Sequence, residues 1–209
     1  MTQVKICGIT DPLAFDTALE AGADWVGFNF FPPSPRYVTP ETAATLSRRN
    51  AGGPLRVGLF VEPTVAAVSQ VLQTVKLDIL QIYGAADRLD AIRTQFGLPI
   101  WRAVGISSAA DLPTASLDAD RLVLEAKPPE RATRPGGNAT TFDWAVLRGW
   151  SAPAAWVLAG GLTPYNVAGA IRATGADAVD VSSGVERSAG VKDASLIRAF
   201  IAAAKTAGA

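Results

Sequence analysis

The sequence contains no histidine, and its 209 residues include only one cysteine and one methionine. Without histidine, proton transfer near neutral pH depends on Cys, Asp, Glu, Lys or Tyr side chains. A single cysteine excludes an internal disulfide and fits a reducing compartment. Cys7 then has two readings, a small core side chain or a reactive thiol, and by itself its segment favours the core.

Long apolar runs and net charge are also missing. No stretch reaches the roughly 18 apolar residues that a membrane span needs, and Asp11 interrupts the N-terminal apolar run, which excludes a signal peptide. Nineteen basic residues balance nineteen acidic ones, so neither a nucleic acid nor a membrane surface is indicated as partner. Mean hydropathy is +0.22, which is typical of a globular α/β protein. We expect a cytoplasmic protein with a small-molecule ligand.

Short apolar segments alternate with helical patterns along the whole chain. Strands are predicted at 4–7, 25–30, 55–61, 79–83, 100–106, 122–126, 155–162 and 178–184. Helices are predicted at 11–22, 40–50, 63–75, 87–96, 107–117 and 141–150, then after Thr163-Pro164 and after the cap Asp193. The helix at 107–117 is the weakest of these, because Pro113 interrupts it.

Eight such strand–helix units predict one (β/α)₈ barrel domain spanning residues 1–209. The near-continuous apolar strands require a parallel sheet covered by helices. The competing fold, an open doubly wound sheet, carries a glycine-rich fingerprint after its first strand. Cys7-Gly8-Ile9-Thr10 does not match that fingerprint.

Reactive side chains stand where predicted strands end, and a barrel gathers those ends at one mouth. Cys7, Glu125 and Asp180 end strands, and Arg36 lies in a proline-stiffened loop. The two carboxylates form a plausible acid/base pair with the thiol, and the guanidinium could fork onto a planar carboxylate. The alternatives are structural: Glu125 could pair with Lys127 or Lys5, and Arg36 could be solvated.

Two small-residue loops follow the last two strands, Gly160-Gly161 and Ser182-Ser183-Gly184. Barrels commonly bind phosphate at this position, through backbone N–H groups and a helix N-terminus. Tight turns would use the same glycines. Because both loops fall in the expected place, we predict a phosphate site.

The chain as a whole resembles the phosphoribosylanthranilate isomerase family of tryptophan biosynthesis. Matching segments run in order from end to end: VKICGIT at 4–10, GADWVGF at 22–28, SPRYV at 34–38, VGLFV at 57–61, TFDW at 141–144, LAGGLTPYNV at 158–167, VDVSSGVE at 179–186 and GVKD at 190–193. The resemblance implies that Cys7 is the general base and that Arg36 holds the anthranilate carboxylate. It also implies that Asp180 contacts the sugar and that the two small-residue loops hold the phosphate.

The implied reaction is an Amadori rearrangement, which needs neither cofactor nor metal. An acid protonates the furanose oxygen, the ring opens to a Schiff base, a base removes the C2 proton, and the enol becomes a ketone. Three positions depart from the family pattern. Glu125 replaces the acid aspartate, Tyr83 replaces a histidine, and the loop at 136–140 lacks a Gly-Lys pair.

These departures leave one alternative function, a barrel that binds the phosphosugar but has impaired catalysis. A different phosphosugar barrel enzyme is disfavoured by Cys7 and by the Ser-Pro-Arg loop. The sequence leaves open whether the protein is a monomer or a homodimer.

Overall fold

The computed structural model describes residues 1–49, 52–128, 135–136 and 140–207, and it contains the predicted closed barrel of eight parallel strands. The barrel strands are β1 (Gln3–Cys7), β2 (Trp25–Asn29), β3 (Leu55–Val61), β4 (Ile79–Tyr83), β5 (Ile100–Ile106), β6 (Arg121–Ala126), β7 (Trp156–Leu158) and β8 (Ala178–Val181). Each strand hydrogen-bonds to the next, and β8 closes on β1 with Lys5 opposite Asp180.

Side chains alternate along each strand between the outside and the inside of the barrel, and this divides the core in two. One set of side chains packs outward against the helices, and the other fills the barrel interior, where Trp25 and Trp101 meet edge to face. Cys7 belongs to the interior set, at its upper end. Lys5 lies one layer below Cys7 and is fully buried, a position that a charged side chain occupies only with a partner.

In the described part of the chain, six α-helices cover the barrel: α1 (Pro12–Glu20), α2 (Pro40–Ser47), α3 (Val65–Leu72), α4 (Leu89–Phe96), α5 (Val167–Thr174) and α6 (Ala194–Ala207). The predicted cap at Asp193 is confirmed, since its Oδ1 accepts hydrogen bonds from the backbone N–H groups of Ser195 and Leu196. No helix within the described ranges combines the length and the apolar character that crossing a membrane requires.

Two predicted helices are wrong. Residues 107–117 form one short 3₁₀ turn, Ala109–Asp111, because Leu112 adopts the extended conformation that precedes Pro113. Residues 141–150 likewise form only the 3₁₀ turn Trp144–Leu147, after which Arg148 is extended and Gly149 has a φ of 75°. The barrel therefore has thin cover beside β6, the strand that carries Glu125.

The helix predicted to begin at Thr163-Pro164 starts later, at Val167. A turn comes first, in which the Asn166 side chain accepts from the N–H of Thr163 at 2.7 Å and donates to the carbonyl of Gly161 at 3.0 Å. The segment after Ser183 also differs from expectation. It is a single 3₁₀ turn, Ser183–Val185, followed by a hairpin of β9 (Glu186–Ser188) and β10 (Val191–Lys192).

Candidate active site

One cavity of about 820 Å³, partly open to solvent, occupies the C-terminal mouth of the barrel. The sequence-predicted site residues that line it are Cys7, Arg36, Glu125, Gly160, Gly161, Asp180, Ser182 and Ser183. Gly184 is the one predicted site residue that does not line the cavity. The strand order therefore brings together groups from five separate parts of the chain, as the barrel interpretation required.

Cys7 and Asp180 share one buried cation. The Lys5 ammonium lies 2.9 Å from Asp180 Oδ2, and its charge also acts on the Cys7 side chain. Burial disfavours the ammonium, but Asp180 and Cys7 outweigh it and raise the pKa of Lys5. Burial also raises the pKa of the Cys7 thiol, against the opposing charge of Lys5. The charge of Lys5 thus favours a thiolate at Cys7, whereas burial favours the thiol.

Glu125 is buried and is not in an ion pair with Lys127 or Lys5, the two structural roles considered above. Lys127 lies near Asp111 instead, at 3.8 Å, and Lys5 binds Asp180. Burial and the nearby Asp180 charge raise the pKa of Glu125 to about 8, although a hydrogen bond from Tyr83 opposes the shift. At neutral pH the Glu125 side chain is therefore a protonated acid, the state that a proton donor needs.

Tyr83 lies between Glu125 and a deeper amide. The Gln81 side chain, fully buried below the cavity, donates to the Tyr83 hydroxyl at 3.2 Å. The same hydroxyl acts on Glu125 and lowers the pKa of its carboxyl group. Gly136 lies over the pair: a Cβ there would stand 2.8 Å from both the Tyr83 hydroxyl and Glu125 Oε2. Any side chain at position 136 would crowd the acid.

Arg36 is buried rather than solvated, and Glu186 holds it. Glu186 Oε1 accepts from Arg36 Nε at 2.6 Å, and Oε2 accepts from Nη2 at 2.9 Å. A substrate carboxylate would therefore meet the guanidinium from the cavity side. Gly8 allows the approach, because it has a φ of 74° and a Cβ there would lie 2.7 Å from Arg36 Cδ.

The two small-residue loops lie side by side at the mouth. Gly160 and Gly161 have φ values of 84° and 63°, so the backbone turn alone accounts for glycine there. Gly184 has another reason to be glycine, since a Cβ would overlap the carbonyl oxygen of Leu162. Gly184 therefore sets the close approach of the loops and shapes the site without lining it.

No group of three or more Cys, Asp or Glu side chains that could hold a metal ion occurs among residues 1–49, 52–128, 135–136 and 140–207.

Comparison with known proteins identifies the family. Residues 4–203 match the family model described as N-(5'-phosphoribosyl)anthranilate isomerase. This chain belongs to that family. The N-(5'-phosphoribosyl)anthranilate isomerase of Acidiphilium cryptum is 56% identical over 207 residues, covering 99% of this chain and all of the relative.

Solved structures of phosphoribosylanthranilate isomerases agree in fold. The enzyme of Thermotoga maritima superposes with a TM-score of 0.86 at 36% identity, covering 99% of this chain and all of that one. Another, in complex with reduced 1-(o-carboxyphenylamino)-1-deoxyribulose 5-phosphate, gives a TM-score of 0.83 at 34% identity, with 99% and 100% coverage.

Two of the three departures from the isomerase family pattern meet in space, because Glu125 and Tyr83 line the same cavity beneath Gly136. The third departure, the loop at 136–140, lies partly outside the described residues. Sequence reasoning gave no role to Gln81, Glu186 or Lys192. Their signal is weak in sequence, being a polar side chain within an apolar strand or beside one.

Tyr83→Phe should lower kcat by about tenfold, the value of one neutral hydrogen bond that positions the acid. Loss of the hydroxyl should also raise the pKa of Glu125, since the Tyr83 hydrogen bond lowers it. Steady-state kinetics from pH 7 to 9.5 measures both effects. Tyr165→Phe is the matched control, because Tyr165 is 91% exposed and does not line the cavity. An unchanged kcat and pH profile in Tyr83→Phe would contradict this role.

Proposed function

We propose that this chain isomerises N-(5'-phosphoribosyl)anthranilate to 1-(2-carboxyphenylamino)-1-deoxyribulose 5-phosphate in tryptophan biosynthesis, with Glu125 as general acid and Cys7 as general base. The activity follows from membership of the family. The observation that carries the residue roles is that one cavity is lined by Glu125, Cys7, Arg36 and both small-residue loops, and burial there raises the pKa of Glu125 to about 8.

Glu125 begins the reaction by donating its proton to the furanose ring oxygen. The C1–O bond then breaks, and the nitrogen lone pair forms the C=N bond of the Schiff base. Burial favours the neutral acid before the step. After the step, the carboxylate is stabilised by the Tyr83 hydroxyl and by the charge of Lys5.

Cys7 completes the rearrangement as the thiolate, by removing the proton from C2. The electron pair of the C–H bond forms the C1=C2 bond, and the C=N electron pair returns to nitrogen, which gives an enol. The enol becomes the ketone when C1 takes up a proton and the C2 hydroxyl loses one. Lys5 supports the thiolate by its charge. Electrons are only redistributed within the substrate, so the proposal requires no cofactor and no metal.

The remaining cavity groups fit the three polar parts of the substrate. Arg36 takes the anthranilate carboxylate, and backbone N–H groups of residues 160–161 and 182–184 take the phosphate. Asp180 Oδ1 is buried and has no hydrogen-bond partner among the described residues, which suits acceptance from a sugar hydroxyl. We further propose a single barrel domain over residues 1–209 and a cytoplasmic location.

Gly184→Ala should weaken phosphate binding by about tenfold, because the new methyl group forces the two loops apart. The measurement is the inhibition constant of inorganic phosphate against the isomerisation. Gly169→Ala is the control, since a Cβ at Gly169 of α5 meets no atom within 4 Å. A folded Gly184→Ala protein with an unchanged phosphate constant would place the phosphate elsewhere.

In the pH profile of kcat/KM, the lower pKa should belong to the general acid Glu125 and the higher pKa to the general base Cys7. Productive enzyme needs Glu125 protonated and Cys7 ionised, yet the pKa of Glu125 is about 8 and that of Cys7 is raised above its ordinary value. The acid therefore ionises first, and only the minor singly protonated form is active. We expect kcat/KM to rise about fivefold from pH 7 to pH 8 and to peak above pH 8. A profile that is flat from pH 7 to 8 would contradict these ionisations.

An assay that follows the loss of phosphoribosylanthranilate by its fluorescence separates the proposal from the alternative of a barrel that binds the phosphosugar with impaired catalysis. No comparison supports that alternative. Turnover that saturates with substrate is the expected result. An impaired barrel would bind the product with no turnover. A barrel enzyme of another reaction would neither bind the product nor turn the substrate over.

A further inference from the structure

Two buried charged residues lie behind the wall of the cavity, on the hairpin that follows the phosphate loop. Glu186 begins β9 and Lys192 ends β10, where the two residues are paired across the strands. Their side chains are 4% and 0% exposed, and neither lines the cavity. Any contact with a bound ligand must therefore be made through other residues, although the Lys192 charge also lowers the pKa of Cys7.

The Lys192 ammonium reaches three acceptors, one for each of its protons. It donates to Glu186 Oε1 at 2.8 Å, to the Ser182 carbonyl at 2.9 Å and to the Ser182 hydroxyl at 3.3 Å. Ser182 belongs to the proposed phosphate loop. Lys192 thus fixes both the backbone and the side chain of a residue that lines the cavity.

Glu186 connects Lys192 to Arg36 at the other end of the site. Its two oxygens hold Nε and Nη2 of Arg36, and Oε2 also accepts from the backbone N–H of Gly190. Without Lys192, Glu186 Oε1 would lose a charged partner, and the carboxylate that orients the Arg36 guanidinium would be held less firmly. The chain of contacts therefore runs from Ser182 through Lys192 and Glu186 to Arg36.

Two buried cations share one carboxylate in this cluster, since Arg36 and Lys192 both bind Glu186. Burial lowers the pKa of Lys192 although Glu186 opposes the shift, and the Arg36 charge adds to the lowering. An anion at the cavity face, such as a substrate carboxylate or phosphate, would lower the cost of burying both cations.

We infer that Lys192 is a positioning residue that holds Arg36, through Glu186, and the phosphate loop, through Ser182, so that the two anionic ends of the substrate bind cooperatively. This inference rests on the proposed function, in which Arg36 meets the carboxylate and Ser182 the phosphate. A purely structural role for Lys192 would stabilise the hairpin without linking the two ends.

The test measures inhibition of the isomerisation by anthranilate and by inorganic phosphate, alone and together. In the wild type, each ligand should tighten the other. Lys192→Met should raise both inhibition constants by about tenfold, the effect of losing charge-assisted hydrogen bonds, and should abolish the mutual tightening. Glu186→Gln should affect anthranilate more than phosphate.

Lys205→Met is the matched control, since Lys205 on α6 is partly exposed, pairs with Asp24 at 3.3 Å and lies outside the cavity wall. It should leave both constants and their coupling unchanged. If Lys192→Met does not fold, Lys192→Arg keeps the charge but cannot direct single protons to all three acceptors, and it should show intermediate losses of both constants and of the coupling.

Two failures are distinguishable. A wild type without turnover would overturn the proposed function itself. An active wild type whose folded Lys192→Met or Lys192→Arg variant keeps both inhibition constants and their coupling would overturn the inference alone.

Discussion

Glu125→Gln is expected to abolish turnover. The amide keeps the size and hydrogen-bonding shape of the side chain, but it has no proton to give to the ring oxygen. The barrel should remain folded, because the neutral amide replaces a carboxyl that is itself neutral below a pKa of about 8. The measurement is kcat in the fluorescence assay, with thermal unfolding to confirm the fold.

Glu125→Asp supplies the matched control, since it restores the acid that is usual in the family. It should retain activity or raise it, because a carboxyl group remains at the strand end with one methylene less. The Glu and Asp side chains place the carboxyl group about an ångström apart, and a misplacement of that size can lower the rate by up to about 10²-fold. An active Glu125→Gln variant would show that another group donates the proton, and Asp180 would be the next candidate.

Cys7→Ala should lower kcat by about 10²-fold or more, the range for loss of a general base. Substrate affinity should change far less, because Arg36 and the phosphate loops remain in place. Removing the sulfur also leaves the ion pair of Lys5 with Asp180 at 2.9 Å, so the interior of the barrel keeps its charge balance.

The measurement for Cys7→Ala combines kcat with the dissociation constant of the product, which reports the binding groups separately. Cys7→Ser is the useful second variant, since a hydroxyl of similar size is a far weaker base at the same position. If Cys7→Ala turns over near the wild-type rate, the thiol is a core side chain and the base lies elsewhere.

The fold could be predicted from sequence because its signals are local. Eight apolar segments, each followed by a turn and a helical pattern, specify a parallel barrel, and the barrel places Cys7, Glu125 and Asp180 at one mouth. Two helices were predicted wrongly where proline or a positive-φ glycine interrupts the segment. In both segments a short turn capped by a side chain forms in place of the helix.

The partners of the site residues could not be predicted, because they depend on closure of the barrel. Lys5 and Asp180 are 175 residues apart and meet only where β1 pairs with β8. Arg36 and Glu186 are 150 residues apart and meet because the hairpin packs against the proline-rich loop, with Gly190 against the Pro35 carbonyl. Sequence spacing carries no information about such contacts in a single chain.

The most direct test of the assigned acid and base is a crystal structure of this protein with reduced 1-(o-carboxyphenylamino)-1-deoxyribulose 5-phosphate, the ligand held by a relative. The hydroxyl on C4 of that ligand derives from the furanose ring oxygen. We predict a Glu125 oxygen within about 2.6–3.2 Å of that hydroxyl, Cys7 Sγ facing C2, and the phosphate between Gly161 and Ser183. A complex in which C2 faces away from Cys7, or in which Glu125 contacts no sugar oxygen, would contradict the account.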